Sequence, residues 1–258
     1  MTKPSKTAAD GYRPDAGLYD IFAASEGTHA LPDAASFARL AVPGARVLDV
    51  GAGTGRVSLR AAAAGAQVWC AEPSPAMRAV LLAKLAALPD MWSRVTVLPV
   101  KAPNFELGCR FDYACLAGVM QFIAPHERLK LFTHVARHLP AGGLLALDML
   151  EKTPASFETS WTERDLHHIA LGEVVYAMSA WREMLSPFKS RTHYRLSTRH
   201  GVTTTEELFI RDRYFHPYAH ALSDLQHAGF HPDPQAQGAS AASGPTAVFL
   251  FRRASSES

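Results

Sequence analysis

Cysteine is scarce in this chain. Cys70, Cys109 and Cys115 are its three, an odd number with no CxxC pair, which argues against a disulfide framework and against a structural zinc site. Cys70 and Cys115 sit inside apolar runs and read as buried thiols acting as small hydrophobes. Long hydrophobic runs are missing too. Ala61–Ala64 is too short to span a bilayer, and the polar stretch Met1–Asp15, with Pro4 and Pro14, lacks the apolar core of a signal peptide. Together these features point to a reducing cytoplasm and to no membrane partner. An excess of one charge is also absent: 26 Lys and Arg stand against 24 Asp and Glu, for a formal net charge of +2. That balance disfavours a nucleic-acid binder, which carries a concentrated basic face. Basic stretches such as Arg211–Arg213 are interrupted by acids and read as solvated strand faces.

What is present is apolar material in alternating patterns. Of the 258 residues, 48% are hydrophobic and 19% charged, which suits one large domain, or one domain with an insertion, around a substantial core. Residues 1–16 read as a loose tail. Leu18–Leu40 carries helical spacing broken at Gly27 and Pro32. Strands are expected at Arg46–Val50, Gln67–Ala71, Val95–Val100, Phe111–Leu116 and Leu144–Met149. Helices are expected at Thr54–Ala64, at Pro75–Leu88 with Ser74 as cap, and at Pro125–Leu139. Strands separated by helices imply a parallel sheet covered on both faces. Then the period changes to two: Glu173–Leu185, Arg191–Arg199 and Thr203–Phe215 read as antiparallel strands. A helix over Pro217–Ala228 and a last strand over Thr246–Phe251 follow.

The sharpest local signal is Val47-Leu48-Asp49-Val50-Gly51-Ala52-Gly53-Thr54-Gly55. An apolar strand runs into three glycines before a helix, a turn that suits a polar ligand at the carboxyl edge of a sheet. Spacing narrows the choice. A dinucleotide fingerprint requires a small residue where Arg56 stands, and a phosphate P-loop requires a GK pair that is absent.

The segment resembles motif I of class I S-adenosylmethionine-dependent methyltransferases. Further landmarks fall in that family's order: Glu72 ending the second strand, Phe111-Asp112 opening a strand into Leu116–Phe122, Leu139-Pro140-Ala141-Gly142-Gly143 before the fifth strand, and Ala228-Gly229-Phe230 closing a late helix. The resemblance implies an α/β, Rossmann-like, seven-stranded and mostly parallel sheet with helices on both faces. It also implies a small antiparallel β insertion between strand 5 and the last helix. In domain terms, 17–258 is a methyltransferase domain carrying 153–216 as an antiparallel sheet or lid, similar in layout to amino-sugar N-methyltransferases and glycine N-methyltransferase-like enzymes.

The implied cofactor is S-adenosyl-L-methionine. Gly51, Ala52, Gly53 and Gly55 would admit its methionine part, and Glu72 would accept hydrogen bonds from its vicinal ribose hydroxyls. Pro73 and Met77 would pack on the adenine, with Met77 equally readable as core, and Ala117 and Gly118 would follow the fourth strand. Tyr19 would contact the cofactor from an N-terminal helix. Two positions depart from the family. Lys101-Ala102 replaces an acidic pair member, so the adenine amino group loses a side-chain acceptor and only the Ala102 backbone remains. Phe122 stands where many relatives carry histidine.

Displacement at a sulfonium methyl needs alignment and exclusion of water, and no metal. A nitrogen nucleophile needs little more, whereas an oxygen needs a general base. Among 12 histidines, His216 and His193 are the candidates for that base, with structural or solvent-facing roles as the plainer reading. Tyr176, Trp181, Tyr194, Phe209, Tyr214 and Phe215 make the insertion aromatic. That fits a substrate wall, a sheet-packing surface or a homodimer contact equally. The expected reaction is in-line methyl transfer to a nitrogen or oxygen of a small, secondary-metabolite-like acceptor. The alternatives are a cyclase or lyase that retains the cofactor, and a non-catalytic binding module. Lack of an Asn/Asp-Pro-Pro-Tyr/Phe tetrapeptide and of a basic extension disfavours DNA, protein-glutamine and RNA substrates.

Overall fold

Short apolar strands that end at glycine turns build the centre of the protein. The computed structural model describes residues 10–25, 34–149, 161–234 and 247–255. β1 (Arg46–Val50), β2 (Gln67–Ala71), β3 (Val95–Leu98), β4 (Tyr113–Leu116) and β5 (Leu144–Met149) form parallel pairs. β4 and β5 are buried at every position, as strands covered on both faces must be. Four further strands, β6 (Trp161–Leu171), β7 (Val174–Ser186), β8 (Lys189–His200) and β9 (Thr203–Tyr214), form a separate antiparallel sheet in that order. β10 (Phe230–Pro232) and β11 (Ala247–Arg253) complete the first sheet, whose order is β10-β11-β5-β4-β1-β2-β3 with β11 antiparallel to β5.

The helices are α1 (Tyr19–Ala24), α2 (Ala34–Ala38), α3 (Ser58–Ala63), α4 (Pro75–Ala86), α5 (Arg128–Arg137) and α6 (Tyr218–His227). Strand alternation sends Leu48, Val50 and Leu116 to a core shared with Leu131 and Phe132 of α5 and Leu225 of α6. Val47 and Cys70 go to the opposite core with Phe37 of α2, Ala61 of α3 and Leu81 of α4. Full burial of one such Leu or Phe contributes about 1.5–3 kcal/mol. Cys70 and Cys115 are buried free thiols.

The differences from expectation have local causes. The three glycines delay the first regular helix turn, so α3 starts at Ser58 rather than Thr54. The antiparallel sheet has four strands, because β6 joins the three read from alternation. Its register with β7 is irregular between Trp161 and His167, which blurs a period-two signal. His167 thus lies on a strand, stacked on Phe22 at 4.6 Å. The first residues of the expected insertion, up to 160, lie outside the described residues, as do residues 1–9 of the expected tail. Residues 10–16 are not loose: Asp15 and Ala16 are buried, and a short 3₁₀ turn, Ala16–Leu18, leads into α1. A third apolar cluster joins Phe22 of α1 to Met178, Tyr194, Leu196 and Phe209 on the inner face of the second sheet. No helix among the described residues is long and apolar enough to cross a membrane.

Candidate functional site

The turns after β1, β2 and β4 meet at the carboxyl edge of the first sheet, where the strand order reverses about β1. That is where open α/β sheets leave a crevice. A cavity of about 510 Å³ opens there, within the usual range for a small-molecule site. Its wall includes Tyr19, Gly51, Gly53, Glu72, Pro73, Met77, Ala102, Ala117 and Gly118, all expected from sequence, and also Lys101 and Phe122. A smaller recess of about 100 Å³ adjoins it and shares Tyr12, Tyr19, Gly51, Gly53 and Phe122. Ala52 lines this recess.

The glycines divide the work. An added Cβ at Gly53 would meet nothing within 4 Å, so that residue faces open space on the cavity wall. At Gly55, with φ +82°, an added Cβ would lie 2.3 Å from Leu81 Cδ1. Gly55 therefore lines neither cavity and serves instead to seat α4 against the turn. This corrects its expected place at the cofactor.

Glu72 is 5% exposed. Gly53 N–H donates to its Oε2 at 2.8 Å and Ser74 N–H to its Oε1 at 2.7 Å. The carboxylate is thereby held in one orientation with lone pairs to spare. Burial pushes its carboxyl above the ordinary value, and the two N–H donors oppose that rise. Ser74 caps α4 by accepting from Met77 N–H at 3.1 Å, as its place before Pro75 predicts. At the far side Gly118 N–H donates to Asp148 Oδ1 at 2.6 Å. Burial raises the Asp148 carboxyl to about 6.

The N-terminal segment covers this edge. Asp10 Oδ2 accepts from Ser74 Oγ at 2.8 Å and Ala76 N–H at 3.0 Å, so a residue from the chain's start reinforces the cap of α4. Burial alone would raise Asp10, but these donors and Tyr12 N–H bring it below its ordinary value. On α1, Asp20 accepts from Thr54 Oγ1 at 2.7 Å and pairs with Lys84 at 2.5 Å, tying the segment to the glycine turn. Tyr12 sets its ring edge-on to Tyr19 and Phe122, with centroids 6.2 and 6.0 Å apart. Burial raises both tyrosine hydroxyls, keeping them protonated near neutral pH.

The second sheet supplies the last wall. Along β9, Phe209, Arg211 and Arg213 share one face while Leu208, Ile210 and Asp212 share the other, by the period of two. Arg211 and Arg213 line the recess, which overturns their reading as solvated. Arg211 donates to Gly11 O at 3.1 Å, pairs with Asp15, and stacks 4.1 Å from the Tyr12 ring centroid. Asp212 instead faces outward to Arg191 and Lys189.

Neither expected base reaches the cleft. His216 is buried, accepting at Nδ1 from Arg128 Nη1 at 3.0 Å and donating from Nε2 to Met120 O at 2.8 Å. Burial lowers its pKa, so it is a neutral structural link outside both cavities. His193 sits on the outward face of β8, stacked on Trp181 at 4.8 Å and 3.0 Å from Glu183 Oε1. Both assignments are therefore corrected: burial claims one ring and strand alternation turns the other away.

Sequence reasoning missed Asp10, Tyr12, Asp20, Thr54, Arg56, Arg211 and Arg213. Thr54 and Arg56 belong to the glycine turn itself and were within reach. The others enter the site only because the N-terminal segment and the second sheet fold over it.

A methyltransferase-domain family model matches residues 47–143 of this chain. A ubiquinone biosynthesis O-methyltransferase of Xanthomonas campestris pv. campestris (strain B100) is 36% identical over 124 residues, 46% of this chain and 49% of the relative. The chain thus spans about half the length of the curated relatives it matches. Among solved structures, a sugar N-methyltransferase from Streptoalloteichus sp ATCC 53650 superposes with a TM-score of 0.76 at 22% identity, covering 99% of this chain and 98% of that one. An amino pentose methyltransferase from Micromonospora echinaspora, solved with S-adenosylmethionine bound, gives a TM-score of 0.71 at 19% identity, covering 97% and 100%. At these identities the likeness is one of fold: a seven-stranded Rossmann-like sheet with an appended antiparallel sheet.

Proposed function

We propose that this chain, whose residues 47–143 match a methyltransferase-domain family model, transfers a methyl group from S-adenosylmethionine to a nitrogen of a small molecule. The observation that carries this reading is the buried Glu72 carboxylate on the wall of the 510 Å³ cavity, oriented by Gly53 and Ser74 N–H. A rigid acceptor pair of that kind suits two vicinal hydroxyls. The open space at Gly53 and the three aromatic rings beside it suit a cationic sulfur.

When bound, the cofactor supplies a methyl group already activated for displacement by its positive sulfur. The protein's own residues do the rest. Glu72 would take the ribose hydroxyls, Pro73 and Met77 would flank the base, and Lys101 would offer no acceptor there, leaving the Ala102 backbone. Gly51, Ala52 and Gly53 give the methionine part access to main-chain groups. Tyr12, Tyr19 and Phe122 line both cavity and recess, and there they would hold the acceptor towards the methyl group and exclude water. Residues 10–22 and β9 close the site over them.

Nitrogen is favoured over oxygen because the cleft lacks a poised base among the described residues. Both histidine candidates lie elsewhere, the two tyrosines hold their protons, and Glu72 and Asp10 are engaged by N–H and O–H donors. An amine that arrives with a free lone pair needs none. The test is a calorimetric titration with S-adenosylmethionine and S-adenosylhomocysteine, followed by tritiated methyl transfer to a panel of amines and alcohols. Binding with label transferred to amines is the expected result. Absence of binding, or binding with label transferred only to alcohols, contradicts the first or the second half of the proposal.

A further inference from the structure

The recess beside the cleft carries more positive charge than its surroundings balance. Three arginines line it: Arg56 from the glycine turn, and Arg211 and Arg213 from β9. Arg211 is neutralised by Asp15. Arg56 and Arg213 have no carboxylate partner among the described residues. Arg213 donates from Nη2 to Tyr194 Oη at 2.8 Å, but its Nε–H is buried with no hydrogen-bond partner among the described residues. The buried hydroxyls of Ser190 and Thr192 also lack hydrogen-bond partners among the described residues, and they stand opposite Arg213 and Arg211 in the β8–β9 register. A buried donor without an acceptor is costly to keep in a folded protein, and several together mark a place where an acceptor arrives from outside.

The opposing charge within reach is small. Asp49 is the one carboxylate on the recess wall. It already accepts from Ser58 Oγ at 2.5 Å and Cys115 Sγ at 3.4 Å, and burial raises it toward its neutral form. The cofactor does not redress the balance, because its sulfonium and ammonium outnumber its single carboxylate. The recess, about 100 Å³, is roomy enough for several waters, and so for a carboxylate or phosphate head. Guanidinium groups suit such heads by offering paired donors in a plane.

We propose that the methyl acceptor is an anion whose carboxylate or phosphate is held by Arg56 and Arg213. This rests on the methyltransferase reading given above. Tyr12, Tyr19 and Phe122, on the shared wall, then flank the acceptor's body between its anionic head and the transferred methyl. The head also lowers the repulsion between the two arginines and the cationic cofactor, so acceptor and cofactor bind with positive coupling.

The test uses the full chain saturated with S-adenosylhomocysteine and follows benzoate, phenyl phosphate and neutral benzamide by ligand-observed NMR titration. At least one anion is expected to bind at least fivefold more tightly than benzamide, and comparison of the two tells carboxylate from phosphate. Arg56→Met, at a side chain with no carboxylate partner among the described residues, should weaken that anion at least tenfold while leaving benzamide and S-adenosylhomocysteine unchanged. Arg213→Lys, which keeps the charge and loses the planar donor pair, should weaken it by a smaller factor. Equal binding of benzamide and both anions overturns the proposal. So does a loss of S-adenosylhomocysteine affinity in Arg56→Met without loss of anion affinity, since the arginine would then serve the cofactor. Failure of the wild-type chain to bind S-adenosylhomocysteine strikes the underlying methyltransferase reading instead.

Discussion

Burial raises the Glu72 carboxyl while the Ser74 and Gly53 N–H groups pull it down, and burial wins. The residue must be ionised to accept from two hydroxyls at once, so cofactor affinity should begin to fall, as pH drops, above the ordinary carboxylate range. Calorimetry from pH 8 to pH 5 should show that decline. Glu72→Ala should weaken S-adenosylhomocysteine at least tenfold at pH 8 in a folded protein, and unchanged affinity would remove the ribose role. Asp148 provides a stability counterpart. Its folded pKa of about 6 lies above the ordinary value of 3.8, so its contribution to stability is present below the unfolded pKa and is lost as pH rises through about 6. Asp148→Asn keeps an acceptor for Gly118 N–H and removes the buried charge. It should raise stability at pH 8 by on the order of 1–3 kcal/mol, at about 1.4 kcal/mol per pKa unit. Urea denaturation at pH 8 and pH 5 checks this, because the gain should shrink at the lower pH.

Within the glycine turn, two positions should fail in different ways. Gly55→Ala drives a Cβ into Leu81 of α4 and should cost about 2–4 kcal/mol through strained backbone and overpacking. Gly53→Val meets no protein atom at its Cβ and should act on ligand affinity more than on stability, apart from about 1–2 kcal/mol for its left-handed backbone. Paired denaturation and binding measurements separate the two. β9 and the N-terminal segment form a second coupled unit through Arg211, which joins Gly11, Asp15 and the Tyr12 ring. Arg211→Met should release residues 10–25, which limited proteolysis reads as faster cleavage there. If cleavage in that segment is unchanged, Arg211 is not what holds it down.

At the scale of the whole molecule, the site is an assembly of three parts: the edge of the parallel sheet, the N-terminal segment and the antiparallel sheet. A ligand that touches all three binds only the folded chain. S-adenosylhomocysteine at one hundred times its Kd should stabilise by about 2.7 kcal/mol, a rise in Tm of roughly 5–10 °C for a chain of this size. A thermal melt showing no shift would contradict a site built in this way.

The parallel core could be read from the chain alone because its signals are local. β1, β2 and β5 fall where apolar runs between glycine and proline turns place them, and Ser74-Pro75 starts α4 as capping chemistry requires. The glycine spacing and the acid at the end of β2 likewise marked the cavity wall, since both lie within one β-α-β unit. β6 was lost because its pairing is irregular, and β10 because three residues carry too little pattern. Which face of β9 meets the cleft, whether His216 or His193 reaches it, and that Asp10 and Tyr12 return to cap α4 and wall the cavity were decided by tertiary structure alone. Those contacts join residues up to 200 positions apart. Local propensity can make a strand or a turn, but only the packing of one sheet over another sets which side chains are turned inward and which charges are left without partners.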